Sequence, residues 1–319
     1  MSLNLVESQP PASPAVSGTM LDCPPVGKEL LVNRTILAFF AHPDDEAFGT
    51  GGTLARYALE GDTVKLVCAT GGESGVNRLD EHDLVRLGEL RTKELQRACE
   101  KLGIEPPVFL GYRDSGMAGT PENEHAESLH SADLDEVAEK FRAIIEAEQP
   151  DAIVTFERYG WYGHPDHIKV YQAVRAALED VEDGPPLFCA AFPAEAARYS
   201  AYVMEQAGEE VPAMFSNPDR LRYSLDMIPI VIDTSHLAER KIAALNEHRT
   251  QMGPDGIEGR WLPEVVKVRT DREYFIPVAN HDALPDEILL FERSGGLFGE
   301  PPPDPLVPYP ILPPSEDEA

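Results

Sequence analysis

The chain has 319 residues, enough to bury a substantial core in one large α/β domain or in two smaller ones. Its 56 acidic and 27 basic residues give a formal charge of -29, and no stretch is rich in Lys or Arg, which argues against a nucleic-acid or anionic-membrane surface. The four cysteines form no C-x-x-C pair, so we expect reduced thiols. The sequence shows neither a signal peptide nor an apolar run of the roughly 18 residues needed to span a membrane, and we therefore expect a cytoplasmic protein.

Both ends of the chain have the composition of tails. Residues 1–32 are rich in Pro, Ser and Gly, and the acidic segment 296–319 has eight prolines in its last 19 residues. Such segments are typical of extended or flexible chain. We therefore predict a single α/β domain over residues 33–295, with an N-terminal and a C-terminal tail.

Within that domain, apolar strands alternate with amphipathic helices. This alternation predicts a Rossmann-like, mostly parallel sheet with helices on both faces, which would bind its ligand at the carboxyl ends of the strands. Residues 193–228 lose the alternation and are expected to form an insertion or a lid. The predicted strands lie at 34–41, 63–70, 107–112 and 151–157, and the predicted helices at 53–62, 84–102, 134–150 and 165–178.

Two His-Pro-Asp segments follow predicted strands and so fall at the same rim of the sheet. "AHPDDE" supplies His42 and Asp45, and "GHPDH" supplies His164 and His167. One such segment alone is more often a helix cap, but two at the ends of separate strands favour a metal site. A His/Asp/His set suits zinc, with iron(II) as the alternative.

The neighbouring side chains suggest a hydrolytic reaction. Asp44 can accept a proton from a water whose pKa zinc lowers to about 7. His164, or Tyr162 just before it, can donate a hydrogen bond to the oxyanion that forms when water attacks a carbonyl, and Asp166 can orient His164. Glu46 can support the turn or make a supporting hydrogen bond.

The sequence raises three other interpretations. A dinucleotide-binding fingerprint is disfavoured, because "GTGGTL" places Leu54 where the pattern needs glycine. A metal-dependent phosphoesterase is the first alternative, although two imidazoles and the lack of a D-x-D repeat weigh against it. The second alternative is a non-catalytic sugar-binding protein of the same fold.

The sequence resembles the PIG-L/LmbE-like family of zinc-dependent N-acetylglucosaminyl deacetylases over roughly residues 33–281. The resemblance rests on "AHPDDEAFGTGGTLA", "RTKELQRACEKLGI", "LGYRDSGM", "GWYGHPDHI" and "KIAALNEHRTQM". "LGYRDSGM" is most similar to the mycothiol-biosynthesis branch. The resemblance implies that the substrate is a small-molecule amino-sugar conjugate from which an N-acetyl or related acyl group is removed. The sequence is compatible with a homo-oligomer.

The resemblance also implies roles for individual residues. His42, Asp45 and His167 would be the zinc ligands, Asp44 the general base, and His164 the acid or oxyanion partner. Arg91 and Asp114 would contact the sugar, whereas His248 and Gln251 match a motif without an assigned role. The branch that cleaves mycothiol conjugates has a lysine where this chain has Gly49, which counts against that amidase activity.

Overall fold

The computed structural model describes residues 33–79, 85–179, 181, 183–216, 221–278 and 293–302. The predicted N-terminal tail and most of the predicted C-terminal tail lie outside these residues, so both tails stay predictions. In the described part of the chain, no helix combines the length and the apolar character that crossing a membrane would require.

Within these described residues, the core is a seven-stranded sheet in the order β3-β2-β1-β4-β5-β7-β6. β1 to β5 run parallel, as predicted, whereas β7 pairs antiparallel with both β5 and β6. The α/β class and the mostly parallel sheet are confirmed. The antiparallel pairing at the β7 and β6 edge was not predicted. The strands are β1 Thr35–Phe40, β2 Thr63–Thr70, β3 Val108–Tyr112, β4 Ala152–Phe156, β5 Leu187–Ala191, β6 Ile230–Asp233 and β7 Arg272–Val278.

Helices connect these strands and pack in two groups: α1, α2 and α7 contact one another, and α3 packs on α4. The four predicted helices are present, but α1 begins at Asp45, eight residues before its predicted start. The helices are α1 Asp45–Glu60, α2 Leu87–Leu102, α3 Leu134–Glu148, α4 Pro165–Ala177, α5 Ala194–Ala207, α6 Ala213–Ser216, α7 Ala238–Glu247, α8 Arg249–Met252, α9 Gly256–Arg260 and α10 Pro263–Thr270.

Local signals set the ends of several helices. Gly61 and Gly103 end α1 and α2 in the left-handed conformation, with φ of 98° and 79°. The Asp133 carboxylate caps α3 by accepting hydrogen bonds from the backbone N–H groups of Asp135 and Glu136. Pro165 is the first residue of α4, where its missing N–H costs nothing.

The segment 193–228, predicted as an insertion or lid, contains α5 and α6 and leads into β6. α5 contacts α6 and α10. Its inner face buries Ala196, Ala197, Ser200 and Met204. These contacts describe a packed helix, and closure over the site stays a prediction.

The order of the strands in the sheet changes direction at β1, with β2 and β3 on one side of it and β4 and β5 on the other. β1 pairs with β2 on one side and with β4 on the other, so the connections leaving these strands diverge and open a crevice at their carboxyl ends. The segment that follows β1 carries His42, and the segment that follows β4 carries His164 just before α4 and His167 in the first turn of α4. The topology therefore brings the two His-Pro-Asp segments together.

Candidate metal centre

Three side chains from these two segments converge on one point. His42 Nδ1 lies 3.3 Å from Asp45 Oδ2, His167 Nε2 lies 3.3 Å from Asp45 Oδ1, and the two ring nitrogens are 3.3 Å apart. A tetrahedral site with metal–ligand distances of about 2.0–2.1 Å has ligand–ligand edges of about 3.3 Å. The spacing and the N/O chemistry of this set therefore fit a metal such as zinc.

His164 joins the same cluster. The ligand atoms of His42, His164 and His167 come close enough to one another to hold a metal ion, as do those of His42, Asp114 and Asp166. The described residues thus include buried groups that can bind a metal.

Buried carboxylates orient His42 on its other side. Its Nε2 lies 3.2 Å from Asp166 Oδ2 and 3.4 Å from Asp114 Oδ1. Ser115 fixes Asp166 in turn, because its backbone N–H donates to Oδ2 at 2.9 Å and its hydroxyl donates to Oδ1. Burial lowers the pKa of His42, but the carboxylates, first Asp114, outweigh it and raise the pKa well above its usual value.

The position of Asp166 differs from the prediction that it orients His164. Its carboxylate faces His42 and Ser115, and only its backbone N–H contacts His164, donating to Nδ1 at 3.2 Å. Because Nδ1 accepts, the neutral His164 ring carries its proton on Nε2. Burial, followed by the charges of His42 and His167, lowers the pKa of His164 to about 2, so the ring is neutral at pH 7.

Aromatic rings hold His167. The Phe156 ring stacks on its imidazole with centroids 3.9 Å apart and an interplanar angle of 9°, and Trp161 and Tyr162 meet it edge-on at 5.4 and 5.5 Å. Its Nδ1 is buried and has no hydrogen-bond partner among the described residues. Burial, and next the charge of Asp45, raises the pKa of the Tyr162 phenol, which therefore keeps its proton.

Asp44 is the strained residue of the site. Its φ of 121° lies in the left-handed region, which side-chain-bearing residues rarely adopt. The Arg91 Nη2 atom lies 3.2 Å from Asp44 Oδ2. Burial raises the pKa of Asp44 to about 6, although Arg91 opposes the shift. The group is therefore ionised above that pH and can accept a proton.

The two predicted sugar contacts are buried in the protein. Arg91 donates to the carbonyls of Gly72 and Pro43 at 2.8 and 2.5 Å, in addition to its pair with Asp44. Asp114 accepts from the backbone N–H groups of Ser74 and Gly116 at 3.2 and 2.8 Å. Both residues therefore support the site from within, and their contact with a sugar stays a prediction.

Sequence analysis left Glu46 and His248 without a firm role. Glu46 Oε2 accepts from the Asp44 backbone N–H at 3.0 Å, and Glu46 Oε1 lies 2.7 Å from His248 Nε2. Both side chains are almost fully buried. The only sequence signal for His248 was its match to a family motif. Because Glu46 lies 202 positions before His248, the spacing of residues could not reveal that the two side chains pair.

Gly49 lies against an aromatic ring. A Cβ atom there would be 2.7 Å from Trp161 Cζ2, and the Trp161 Nε1–H donates to the Ala190 carbonyl at 2.9 Å. Gly49 and Trp161 border a cavity that Phe48, Tyr162 and Phe192 also line. A lysine at position 49 would require Trp161 to move. The Trp161 ring therefore occupies the space that the lysine side chain of the amidase branch would need here.

Comparison with known proteins identifies the family. The PIG-L family, described as GlcNAc-PI de-N-acetylase, matches residues 37–178. A 1D-myo-inositol 2-acetamido-2-deoxy-alpha-D-glucopyranoside deacetylase from Acidothermus cellulolyticus is 37% identical over 245 residues, covering 70% of this chain and 81% of that protein. A protein of the same name, numbered 2, from Frankia casuarinae is 39% identical over 256 residues, covering 71% and 81%.

A solved structure shares the fold. N,N'-diacetylchitobiose deacetylase from Pyrococcus horikoshii superposes with a TM-score of 0.54 at 22% identity, covering 77% of this chain and 84% of that one. The sequence relatives exceed 30% identity and align over most of their own length. The family match over residues 37–178 spans both His-Pro-Asp segments, and together with the identity and coverage of these relatives it shows that the chain belongs to the PIG-L family.

Proposed function

We propose that this chain is a metal-dependent N-deacetylase that hydrolyses the acetamide of N-acetylglucosamine joined to inositol or a closely similar aglycone. The observation that carries the proposal is the convergence of His42, Asp45 and His167 beside Asp44. Relatives with 37–39% identity are named for this deacetylation. A cytoplasmic location and a homo-oligomer stay predictions from the sequence.

His42, Asp45 and His167 would hold the metal, which we assign as zinc, with iron(II) as the alternative. Their 3.3 Å spacing and nitrogen and oxygen donors support this choice over His164 as a ligand. When bound, the ion would polarise the acetyl carbonyl and make a neighbouring water more acidic. His164 then remains available for the reaction itself.

Asp44 is the general base in this scheme. It takes a proton from water as the water oxygen attacks the acetyl carbonyl carbon. The neutral His164 Nε2–H donates a hydrogen bond to the oxyanion, which favours the oxyanion role over that of an acid. Asp44 then returns its proton to the sugar nitrogen as the C–N bond breaks, leaving the free amine and acetic acid, which releases its own proton to give acetate.

Other side chains support these steps. Arg91 fixes the Asp44 carboxylate and the two loop carbonyls beside it. Tyr162 stays protonated, so its hydroxyl can add a second hydrogen bond to the substrate. Asp166 and Asp114 hold the ring of His42. A well-ordered set of this kind reduces the reorganisation that the reaction requires.

Acetate release tests the proposal. We would compare protein reconstituted with one equivalent of Zn²⁺ with a chelator-stripped control, using N-acetylglucosamine, its α-linked inositol conjugate and an aryl phosphate. Zinc-dependent acetate release that is faster with the conjugate is the expected result. Phosphate release without acetate would establish the phosphoesterase alternative. Intact substrates with bound metal would support the non-catalytic alternative.

A further inference from the structure

We propose that Trp161 is a positioning residue of the metal centre. Its indole ring fixes the imidazole plane of His167 by packing, in place of the hydrogen bond that usually orients a metal-binding histidine. The inference rests on the metal centre of the proposed function and adds a residue to it. Trp161 is not a ligand in this scheme and acts through His167.

The two nitrogens of the His167 ring have different surroundings. Nε2 faces the other proposed ligands, at 3.3 Å from Asp45 Oδ1 and 3.3 Å from His42 Nδ1, so Nδ1 carries the proton when Nε2 binds a metal. A metal-binding histidine nearly always donates this second N–H to a carboxylate, a carbonyl or a water. In His167, Nδ1 is buried and has no hydrogen-bond partner among the residues that the structure describes. The orientation of the ring therefore needs another source.

Two mutually packed aromatic rings supply that constraint. The Phe156 ring stacks on the imidazole of His167, with centroids 3.9 Å apart, and the Trp161 ring meets the imidazole at 5.4 Å and an interplanar angle of 86°. Trp161 and Phe156 also pack on each other at 4.9 Å and 78°. The torsion that rotates a histidine ring is broad and roughly two-fold, so its rotamer preference alone does not fix the ring plane. The two neighbouring rings can fix it.

The indole of Trp161 is itself fixed at both ends. Its Nε1–H donates to the Ala190 carbonyl at 2.9 Å. Its six-membered ring lies against Gly49, where a Cβ atom would be 2.7 Å from Cζ2. Ala190 belongs to β5 and Gly49 to α1, so two elements of the core hold the ring. A ring held in this way can orient its neighbour, whereas a mobile ring could not.

The backbone of Trp161 adopts a conformation that is unfavourable for a bulky residue. Its φ is 59° and that of Gly160 is 64°, so two successive residues are in the left-handed region. Glu157 Oε1 accepts a hydrogen bond from the Trp161 backbone N–H at 2.6 Å and supports this turn. A Cβ atom at Gly160 would lie 3.0 Å from the Cβ atom of His167, so the turn packs directly against that residue. The unfavourable φ thus occurs where the turn brings the indole to the imidazole, and such outliers concentrate at functional sites.

The test measures the affinity of the chelator-stripped full chain for Zn²⁺ alone, by competition with a chromophoric chelator. Trp161→Leu stays apolar but removes the ring, and it should raise the Kd for zinc at least tenfold, as the loss of a partner to a metal-binding histidine does. Trp161→Phe keeps a ring beside His167 and should stay within about threefold of the wild-type Kd. Gly49→Ala displaces the indole without removing it and should also weaken zinc binding, which provides a second variant if Trp161→Leu does not fold.

Trp261→Leu is the matched control. Trp161 and Trp261 are the two tryptophans of the chain, and they are 7% and 3% exposed. Trp261 packs on Phe48 and Phe215, and within the described ranges it makes no ring contact with His167. Both Leu variants should lower the melting temperature of the metal-free protein, but Trp261→Leu should keep the wild-type Kd for zinc. The comparison separates the positioning of His167 from general stability.

A wild-type Kd for zinc in Trp161→Leu, or in Gly49→Ala where the Leu variant does not fold, would overturn the positioning role. An equal rise of the Kd in Trp261→Leu would overturn it too, because the effect would then follow stability. So would a tenfold rise in Trp161→Phe, since a ring is still present. These three results leave the deacetylase function of the wild type intact. Failure of the wild type to bind zinc would instead contradict the metal centre on which the proposed function rests.

Discussion

At the scale of single residues, the site depends on Asp44, which is held in a costly backbone conformation. Its φ of 121° costs on the order of 1–3 kcal/mol, which the surrounding contacts must offset. Arg91 fixes the carboxylate, and Glu46 accepts a hydrogen bond from the backbone N–H. The strain therefore coincides with the group that we assign as base.

Asp44→Asn should lower kcat by about 10²–10⁴-fold, because the amide cannot accept the water proton. The metal content should stay at one per chain, since the predicted ligands are unchanged. Single-turnover kinetics and elemental analysis give the two values, with Asp135→Asn on the exposed surface of α3 as the control. Wild-type kcat in Asp44→Asn would contradict the assignment of the base.

The Glu46–His248 pair is expected to act by positioning Asp44. Burial lowers the pKa of His248, but Glu46 and then Asp44 raise it above its usual value, which strengthens the pair. Glu46→Ala should reduce kcat at least tenfold and leave KM within about twofold, because the change acts through Asp44. Glu46→Gln keeps a carbonyl oxygen for the Asp44 N–H and offers an N–H group to Nε2 of a neutral His248, and should recover most of the rate. Equal losses in both variants would exclude this positioning role.

Glu157 gives a pH dependence that is separate from catalysis. Burial raises its pKa to about 7 even though the N–H groups of Tyr159 and Trp161 lower it. Protonated Glu157 therefore contributes to the free energy of unfolding. This contribution is complete below the pKa of an unfolded Glu, about 4.3, and is lost as the pH rises through the folded-state pKa of about 7; the total loss is at most about 3–4 kcal/mol. In urea unfolding between pH 4.5 and 8, Glu157→Gln should lose less stability than the wild type as pH rises. Parallel curves would show that Glu157 does not titrate in this range.

At the scale of elements, α1 directly follows Asp44 and packs closely into the core. Gly49→Ala should destabilise the fold by about 1–3 kcal/mol, because the new Cβ would lie 2.7 Å from the ring of Trp161. Gly51→Ala in the same helix is the matched control, since its nearest contacts would be at 3.5 Å and alanine favours a helix. Thermal unfolding measures both. Equal melting temperatures for the two variants would show that the Trp161 side chain can move aside at little cost in free energy.

The same glycines explain where sequence analysis failed. Gly49, Gly51 and Gly52 have low helix propensity, so the periodic pattern indicated only the second half of α1. A Cβ at Gly52 would lie 2.6 Å from Thr234 Cβ, a close approach that only the folded chain reveals. Close packing of these glycines in the folded chain outweighs their low helix propensity. The antiparallel edge of the sheet was missed for a similar reason, because β5 and β7 lie far apart in the chain.

The metal cluster was easier to predict than its supporting contacts. Each His-Pro-Asp segment lies in the connection that follows a buried strand, and parallel strands end at one rim, so sequence order alone places these residues together. The link between Asp166 and His42 spans 124 positions and joins separate loops. Because such a contact leaves no local pattern, the sequence suggested His164 as the partner instead.

At the scale of the whole molecule, the site concentrates negative charge in a chain that already carries -29. Asp45, Asp114 and Asp166 lie around His42, and their mutual repulsion opposes folding unless cations offset it. A divalent ion would supply that charge at the centre of the cluster. Metal binding and folding should therefore be coupled.

Adding zinc to chelator-stripped protein should raise its melting temperature. Binding contributes about 2.7 kcal/mol when free zinc exceeds Kd a hundredfold, and each kcal/mol is worth about 2–4 °C in a domain of 150–250 residues. His42→Ala should lose this increase, because one ligand and the ring between the carboxylates are removed. Asp135→Asn should keep it. A zinc-induced rise of wild-type size in His42→Ala would place the metal elsewhere in the chain.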